Sequence, residues 1–279
     1  MSLGIFLAVL AAAFLHALWN ALIKLGTSKV GGMVILSIVE VPIGLAVVMF
    51  TDAINPAAVP WVLAAGCTHF AYKFFLTYAY DRGDLSRVYP IARGAAPMIV
   101  ALFGAAFLAD AVTGKEYVAI AVLAAGILLM ARGVFASGED RRLLPFALGS
   151  ACATATYTLI DGMGARVSGS PAAYVAWVFV ADGTIFTLGM LALRGWDVIP
   201  RNWHAWRMGA FASAASYGAY AVSIWAMTFA PIAVVAALRE TSILFAMLLS
   251  VWLIGERLTA WRVAAALCIV GGVVALRLG

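Results

Sequence analysis

The sequence predicts an all-α membrane protein of ten transmembrane helices, arranged as two inverted five-helix repeats around a central cavity. Three observations predict it. Of 279 residues, 65% are hydrophobic and 11% charged, against about 25% charged in a soluble domain. So little polar side chain cannot cover a water-facing globule, and most of the surface must meet lipid. The apolar residues fall in runs of about 20, the length a helix needs to cross the hydrocarbon core. The basic residues sort by loop, in a pattern that alternates along the chain.

The runs place helices over 3–24, 31–50, 58–80, 85–108, 115–134, 143–163, 171–193, 206–229, 232–254 and 260–277. Each must be helical because backbone groups in lipid have to pair within their own segment. The breaks carry turn chemistry: Asn55-Pro56, Arg82-Gly83-Asp84, Thr113-Gly114, Ser137-Gly138-Glu139-Asp140, Ser168-Gly169-Ser170-Pro171 and Pro200-Arg201-Asn202. The first run, Leu3 to Leu25, is too long for the apolar part of a signal peptide.

The chain repeats itself. At an offset of 146, Arg93 falls on Arg239, Asp110 on Glu256, Thr113 on Thr259 and Gly126 on Gly272. Near the start of each half, Trp19-Asn20-Ala21-Leu22 lies over Tyr157-Thr158-Leu159-Ile160 at an offset of 138. This divides the chain into units 1–136 and 143–279, with five helices each. An odd number makes the second unit enter the membrane from the opposite side.

Loop charge agrees. Twelve Lys/Arg fall on one face: Lys24, Lys29, Arg82, Arg87, Arg132, Arg141, Arg142, Arg194, Arg201, Arg207, Arg257 and Arg262. Three, Lys115, Arg166 and Arg277, fall on the other. The positive-inside rule puts the rich face in the cytoplasm and both termini outside. It also accounts for the net charge of +5 without a nucleic-acid partner. Inverted repeats of this kind let two halves rock about a site near the bilayer midplane.

Six ionisable residues fall well inside the predicted helices: Glu40, Lys73, Arg93, Asp182, Arg239 and Glu240. At about 2.5–3.5 kcal/mol each on insertion scales, they would together cost roughly 15–20 kcal/mol unpaired. That exceeds a usual net stability of about 5–15 kcal/mol. They must face a cavity or one another. Their signs balance, so two readings stand, mutual neutralisation and solute binding. Arg93 lies between Pro90 and Pro97, with Tyr89 one turn before it. A guanidinium is a good two-pronged partner for carboxylate or phosphate. Trp19 and Asn20 on the first helix join the candidate site, as do mid-helix Tyr157, Tyr220 and Trp225. Trp61, Trp196, Trp203, Trp206 and Trp261 suit interface anchors, and Gly104, Gly126, Gly271 and Gly272 suit close helix contacts.

Cys67, Cys152 and Cys268 lie singly in apolar runs, read as small buried hydrophobes, with no metal-ligand spacing. No phosphate-binding loop is present, so no cofactor is expected. Energy would come from a gradient or an exchanged solute. Glu40, Asp182, Glu240, His16 and His69 are the groups able to carry a coupling proton.

His-Ala-Leu-Trp-Asn-Ala-Leu-Ile-Lys (16–24), Tyr-Pro-Ile-Ala-Arg-Gly-Ala-Ala-Pro (89–97) and Gly-Glu-Arg-Leu-Thr (255–259) resemble patterns of the drug/metabolite transporter superfamily, in particular its ten-helix EamA-type members. The resemblance covers nearly the whole chain; Asp110 stands where the first copy would have glutamate. It implies a secondary transporter, not an enzyme, exporting or exchanging small polar metabolites such as amino acids or organic anions. The expected setting is a bacterial inner membrane and the expected partners are lipid, a polar or zwitterionic solute and a proton or exchanged solute. A monomer would suffice. The rival is a membrane-embedded enzyme acting on a lipid or diphosphate, for which Asp81 and Asp84 have the acid spacing but no second acidic motif.

Overall fold

Several of the helices begin where a short polar side chain can hold a first-turn N–H. In the computed structural model, Ser2 accepts from Ile5 N–H at 3.3 Å. Ser28 does the same for Gly31 at 3.0 Å, and Asn202 for Ala205 at 2.7 Å. Each satisfies one of the donors a helix start leaves unpaired. The structure describes residues 1–26, 28–80, 93, 96–108, 110, 112–130, 143–254 and 258–278.

Among these residues there are helices and no strands. The α-helices are α1 (Leu3–Leu25), α2 (Lys29–Val48), α3 (Val59–Tyr80), α4 (Ala96–Phe107), α5 (Gly114–Met130) and α6 (Leu143–Val167). They continue as α7 (Pro171–Arg194), α8 (Trp203–Met227), α9 (Ile232–Arg239), α10 (Ser242–Ile254) and α11 (Ala260–Leu278). Five segments are long and apolar enough to cross a membrane by length and composition: Leu3–Ile23, Lys29–Val48, Pro171–Arg194, Ile232–Trp252 and Ala260–Leu278. Helices α3, α6 and α8 match them in length, at 22, 25 and 25 residues. They are less apolar because they carry much of the buried polar set, including His69, Lys73, Thr154, Asp161, Ser213 and Ser223.

Two elements depart from the expected boundaries. The run over 232–254 is interrupted at Glu240-Thr241, so α9 and α10 are two pieces of one segment. Helix α6 runs four residues past its expected end. Gly162 and Gly164 fall inside it, although glycine is a poor helix former. Here the glycines instead admit Ile232 and the Tyr174 ring into the space a Cβ would fill, so packing overrides local propensity.

Number the segments of each half one to five, counting α9 and α10 together. The first packs on the other half's third (α1 on α8), and the third on the first (α3 on α6). Second packs on second (α2 on α7), fourth on fourth (α4 on α9) and fifth on fifth (α5 on α11). Exchanging the halves leaves this pattern unchanged.

Glycines make two of these contacts reciprocal. A Cβ on Gly44 would sit 2.6 Å from Ala176 O and 2.9 Å from Val180 Cγ2, and one on Gly183 would sit 2.5 Å from Ser37 O and 2.9 Å from Val41 Cγ2. Climbing α2 from 37 to 44 therefore descends α7 from 183 to 176, and the two helices run antiparallel. On α5 and α11, Gly126 would meet Ile269 N at 2.9 Å and Gly272 would meet Leu123 N at 2.8 Å. At about 1.5 Å of rise per residue, parallel helices cannot make both contacts. Small residues let backbones approach this closely where lipid supplies no hydrophobic drive. Of the four glycines singled out in the sequence, Gly126 and Gly272 make such contacts. Gly271 faces open space, and Gly104 meets only Leu108, at 3.7 Å.

The turns sort to two ends. At one, Asn55 N–H donates to Ser168 O at 2.9 Å, and Asp110 accepts from Ile232 N–H at 2.8 Å. Arg166 grips Asp110 there through two nitrogens, at 2.6 and 3.2 Å, and donates to Met227 O and Ala230 O. These are the turns after α2, α4, α6 and α8. At the other end Gly31, after α1, abuts Pro200, after α7. The cysteines are not buried: Cys67 and Cys152 are exposed and Cys268 partly so, because they face outward from the bundle, where lipid replaces a core.

Candidate functional site

Helix α3 carries His69, Tyr72 and Lys73 on one face, by their i, i+3, i+4 spacing. Lys73 Nζ is the hub of a buried ion cluster. It lies 2.6 Å from Glu40 Oε2 on α2 and 2.7 Å from Asp182 Oδ2 on α7, and donates to Ser37 Oγ at 2.9 Å. One cation thus serves two carboxylates, all at 5% exposure or less.

One turn earlier, His69 Nε2 lies 2.9 Å from Asp161 Oδ2 and 3.0 Å from Tyr220 Oη. Asp161 is fully buried. It accepts the hydroxyls of Tyr174, at 3.0 Å, and of Tyr220. The His69 ring stacks on Tyr157 at 4.1 Å, and its Nδ1 faces Asp182 Oδ2 at 3.9 Å. This knot of α3, α6, α7 and α8 joins the lysine cluster through Asp182.

The two arginines differ. Arg93 Nε donates to Glu240 Oε2 at 2.9 Å, an ion pair across the seam between the halves. Arg239 Nη2 donates to Tyr157 Oη at 3.3 Å, and its guanidinium lies over the Tyr220 ring at 5.7 Å. Its Nη1 has no protein partner, and no carboxylate pairs with it among the described residues. Asp182 Oδ1 and His16 Nε2 are likewise buried without a partner. His16 Nδ1 accepts the Trp19 indole N–H at 3.2 Å, and Asn20 donates to His16 O at 2.8 Å.

These groups surround a cavity of about 40 Å³, lined by His16, Trp19, Glu40, His69, Lys73, Tyr157, Asp182, Tyr220 and Arg239 among others. At about 10–15 Å³ for each water, it has room for about three. Of the residues expected at a solute site, Trp19, Glu40, Lys73, Tyr157, Asp182, Tyr220 and Arg239 line it. Asn20, Arg93 and Glu240 are buried but outside its lining. Trp225 is elsewhere, 41% exposed and against Phe229. Five residues past Tyr220, it sits about 140° around α8 and so points outward. Tyr89, and the Asp81–Asp84 pair of the enzyme reading, lie outside the described residues. The sequence reading missed Asp161 and Tyr174. Ending the sixth helix at 163 put Asp161 at a water-exposed end, where a carboxylate needs no partner. The signal that could have found it is the 3.6-residue spacing of Thr154, Tyr157, Thr158 and Asp161 along one face.

Residues 142–278 match the model of the EamA-like transporter family. The second half of the chain is thus similar to that family. The resemblance to the drug/metabolite transporter superfamily read from the sequence holds over that half, and the long apolar helices agree with a multi-pass membrane protein. A solved protein, titled only as a crystal structure of protein, superposes with a TM-score of 0.70 over 98% of this chain and 95% of its own, at 18% identity. At that identity the likeness extends to the fold alone. No curated protein matches the chain.

Proposed function

We propose that the protein is a secondary transporter that moves a small zwitterionic solute, an amino acid or a close relative, by alternating access between two inverted repeats. The observation that carries this is Arg239. A buried guanidinium without a carboxylate is costly, and this one, with an unpartnered nitrogen, lines a cavity. A solute carboxylate would complete it. Lys73 and Arg93 are not available in the same way, because Glu40, Asp182 and Glu240 already neutralise them. Asp182 Oδ1, also unpartnered, supplies an acceptor for a solute ammonium. Trp19, Tyr157 and Tyr220 line the apolar part of the cavity.

The exchange symmetry of helix pairing and the reciprocal glycine contacts support reading the halves as inverted repeats, with each numbered segment a membrane crossing. A volume of about 40 Å³ is less than an amino acid needs, so this conformation has the site closed down and the halves must part to load it. Transport is read as export or exchange across a bacterial inner membrane. Arg239→Ala, purified from the membrane and reconstituted, should lose at least tenfold in uptake of labelled amino acids into proteoliposomes. Arg239→Lys should retain part of it, and Trp225→Ala should match the parent. Parent-level uptake by Arg239→Ala sinks the proposal.

A further inference from the structure

The buried charge does not balance. Among the described residues, four buried carboxylates, Glu40, Asp161, Asp182 and Glu240, face three obligate cations, Lys73, Arg93 and Arg239. Within this group the contacts leave Asp161 with no lysine or arginine: its partners are His69, Tyr174 and Tyr220. A lone buried carboxylate in a protein interior is strongly disfavoured, so one further proton belongs in this group.

The hydrogen-bond directions say where. Tyr220 gives its hydroxyl proton to Asp161, so toward His69 it offers only oxygen lone pairs. Nε2 of His69 therefore faces two acceptors, Tyr220 Oη and Asp161 Oδ2, and must carry a hydrogen. Nδ1 faces a third acceptor, Asp182 Oδ2, at 3.9 Å, and no donor. A neutral imidazole has one N–H and one lone pair; a ring with acceptors at both nitrogens is suited to the imidazolium. The other groups around it are Tyr157, stacked on its face, Lys73 and Glu40 through Asp182, and Arg239 across the Tyr220 ring.

We propose that His69, held between Asp161 and Asp182, is the proton-coupling site, and that one proton leaves it as one zwitterionic solute enters. This rests on the transporter reading above. An ammonium arriving at Asp182 takes the place the imidazolium held beside that carboxylate, and the solute carboxylate is met by Arg239, the one buried cation without a carboxylate among the described residues. The proton passes from a His69 ring nitrogen to cavity water and out by the side then open. On return without solute, His69 takes up a proton from the opposite side. No bond other than N–H forms or breaks, and solute and proton move in opposite directions.

Two measurements test this. The protein has three histidines, so nitrogen-15 histidine labelling of the protein in lipid, with His16→Gln and His204→Gln spectra for assignment, isolates the His69 signal. Without solute, His69 should show two N–H nitrogens. In Asp161→Asn, which balances the charges without the proton, it should become neutral. A wild-type His69 that is neutral without solute, or one unmoved by Asp161→Asn, overturns the proposal. In proteoliposomes given a mixture of labelled amino acids, with the membrane potential clamped at zero by potassium and valinomycin, a gradient of one pH unit, more acid on the receiving side, should drive about tenfold accumulation at one-for-one exchange. Asp161→Asn should abolish that accumulation. Solute that crosses without responding to the gradient removes the coupling but leaves the transporter. Failure of any amino acid to cross, with or without the gradient, removes both.

Discussion

Lys73→Met separates what the ion cluster does for the fold from what it does for solute. The Lys73 ammonium touches Glu40 Oε2 at 2.6 Å and Asp182 Oδ2 at 2.7 Å, so those oxygens are no farther apart than the two contacts laid end to end. Two unit negative charges about 5 Å apart repel by about 3 kcal/mol at an effective dielectric constant of about 20. Stripping one partner from a buried pair costs about 3–5 kcal/mol by measurement on other proteins. The two figures agree. At about 2–4 °C for each kcal/mol in chains of this size, tryptophan-monitored melting in detergent should fall by about 10 °C. The triple variant Lys73→Met, Glu40→Gln, Asp182→Asn removes all three charges together. It should recover most of the loss, because neutral groups that fill the same space avoid the desolvation of the ions. A Lys73→Met melt within about 2 °C of the parent, or a triple variant less stable than the single, would show that Lys73 does not hold the two carboxylates together.

Three other outcomes follow from the geometry. Neighbouring glycines on α11 should respond oppositely. Gly271→Ala meets nothing within 4 Å and should be neutral or stabilising by up to about 1 kcal/mol, whereas Gly272→Ala drives into the Leu123 backbone and should cost about 1–3 kcal/mol. Melting both variants side by side checks this. Arg166→Ala should destabilise by about 1–2 kcal/mol and speed proteolysis between α8 and α9. Its ion pair with Asp110 is a third exposed on the arginine side and worth about 1 kcal/mol or less; the loss of its two carbonyl tethers adds the rest. A reporter active only in the cytoplasm, fused after Gly279, should stay silent, since the twelve-to-three loop bias puts both termini outside. A bright fusion reverses the assigned orientation.

The helices were legible because lipid enforces them: a run of about 20 apolar residues has few alternatives. What was not legible came from contacts between helices distant in sequence. Gly44 and Gly183 look like ordinary small residues until Ala176 O and Ser37 O are seen against them. Gly271 and Gly272 are indistinguishable in sequence and opposite in space. The reading found six buried charges but not their partners. It left mutual neutralisation and solute binding open for both arginines, and Glu240 pairs with Arg93; its end for the sixth helix at 163 fell beside Asp161. Burial hides an acid whenever helix length is misjudged by one turn.

Departure from symmetry, more than symmetry, makes a site. Arg93 and Arg239 correspond at an offset of 146, and a perfectly repeated chain would give each the same carboxylate. At the position matching Glu240, however, the first half has Gly94. One acid is thus shared between two arginines, and Arg93 holds it. Arg239 is left with the Tyr157 hydroxyl and the Tyr220 face, both on the cavity wall. If the unpartnered guanidinium is what draws solute into the cavity, Arg239→Gln should lower affinity for a carboxylate-bearing solute at least tenfold, while leaving the melting temperature at or above that of the parent, because it no longer buries a charge without a carboxylate. An Arg239→Gln protein that folds and carries amino acids with unchanged affinity would separate the asymmetry of the repeats from solute recognition.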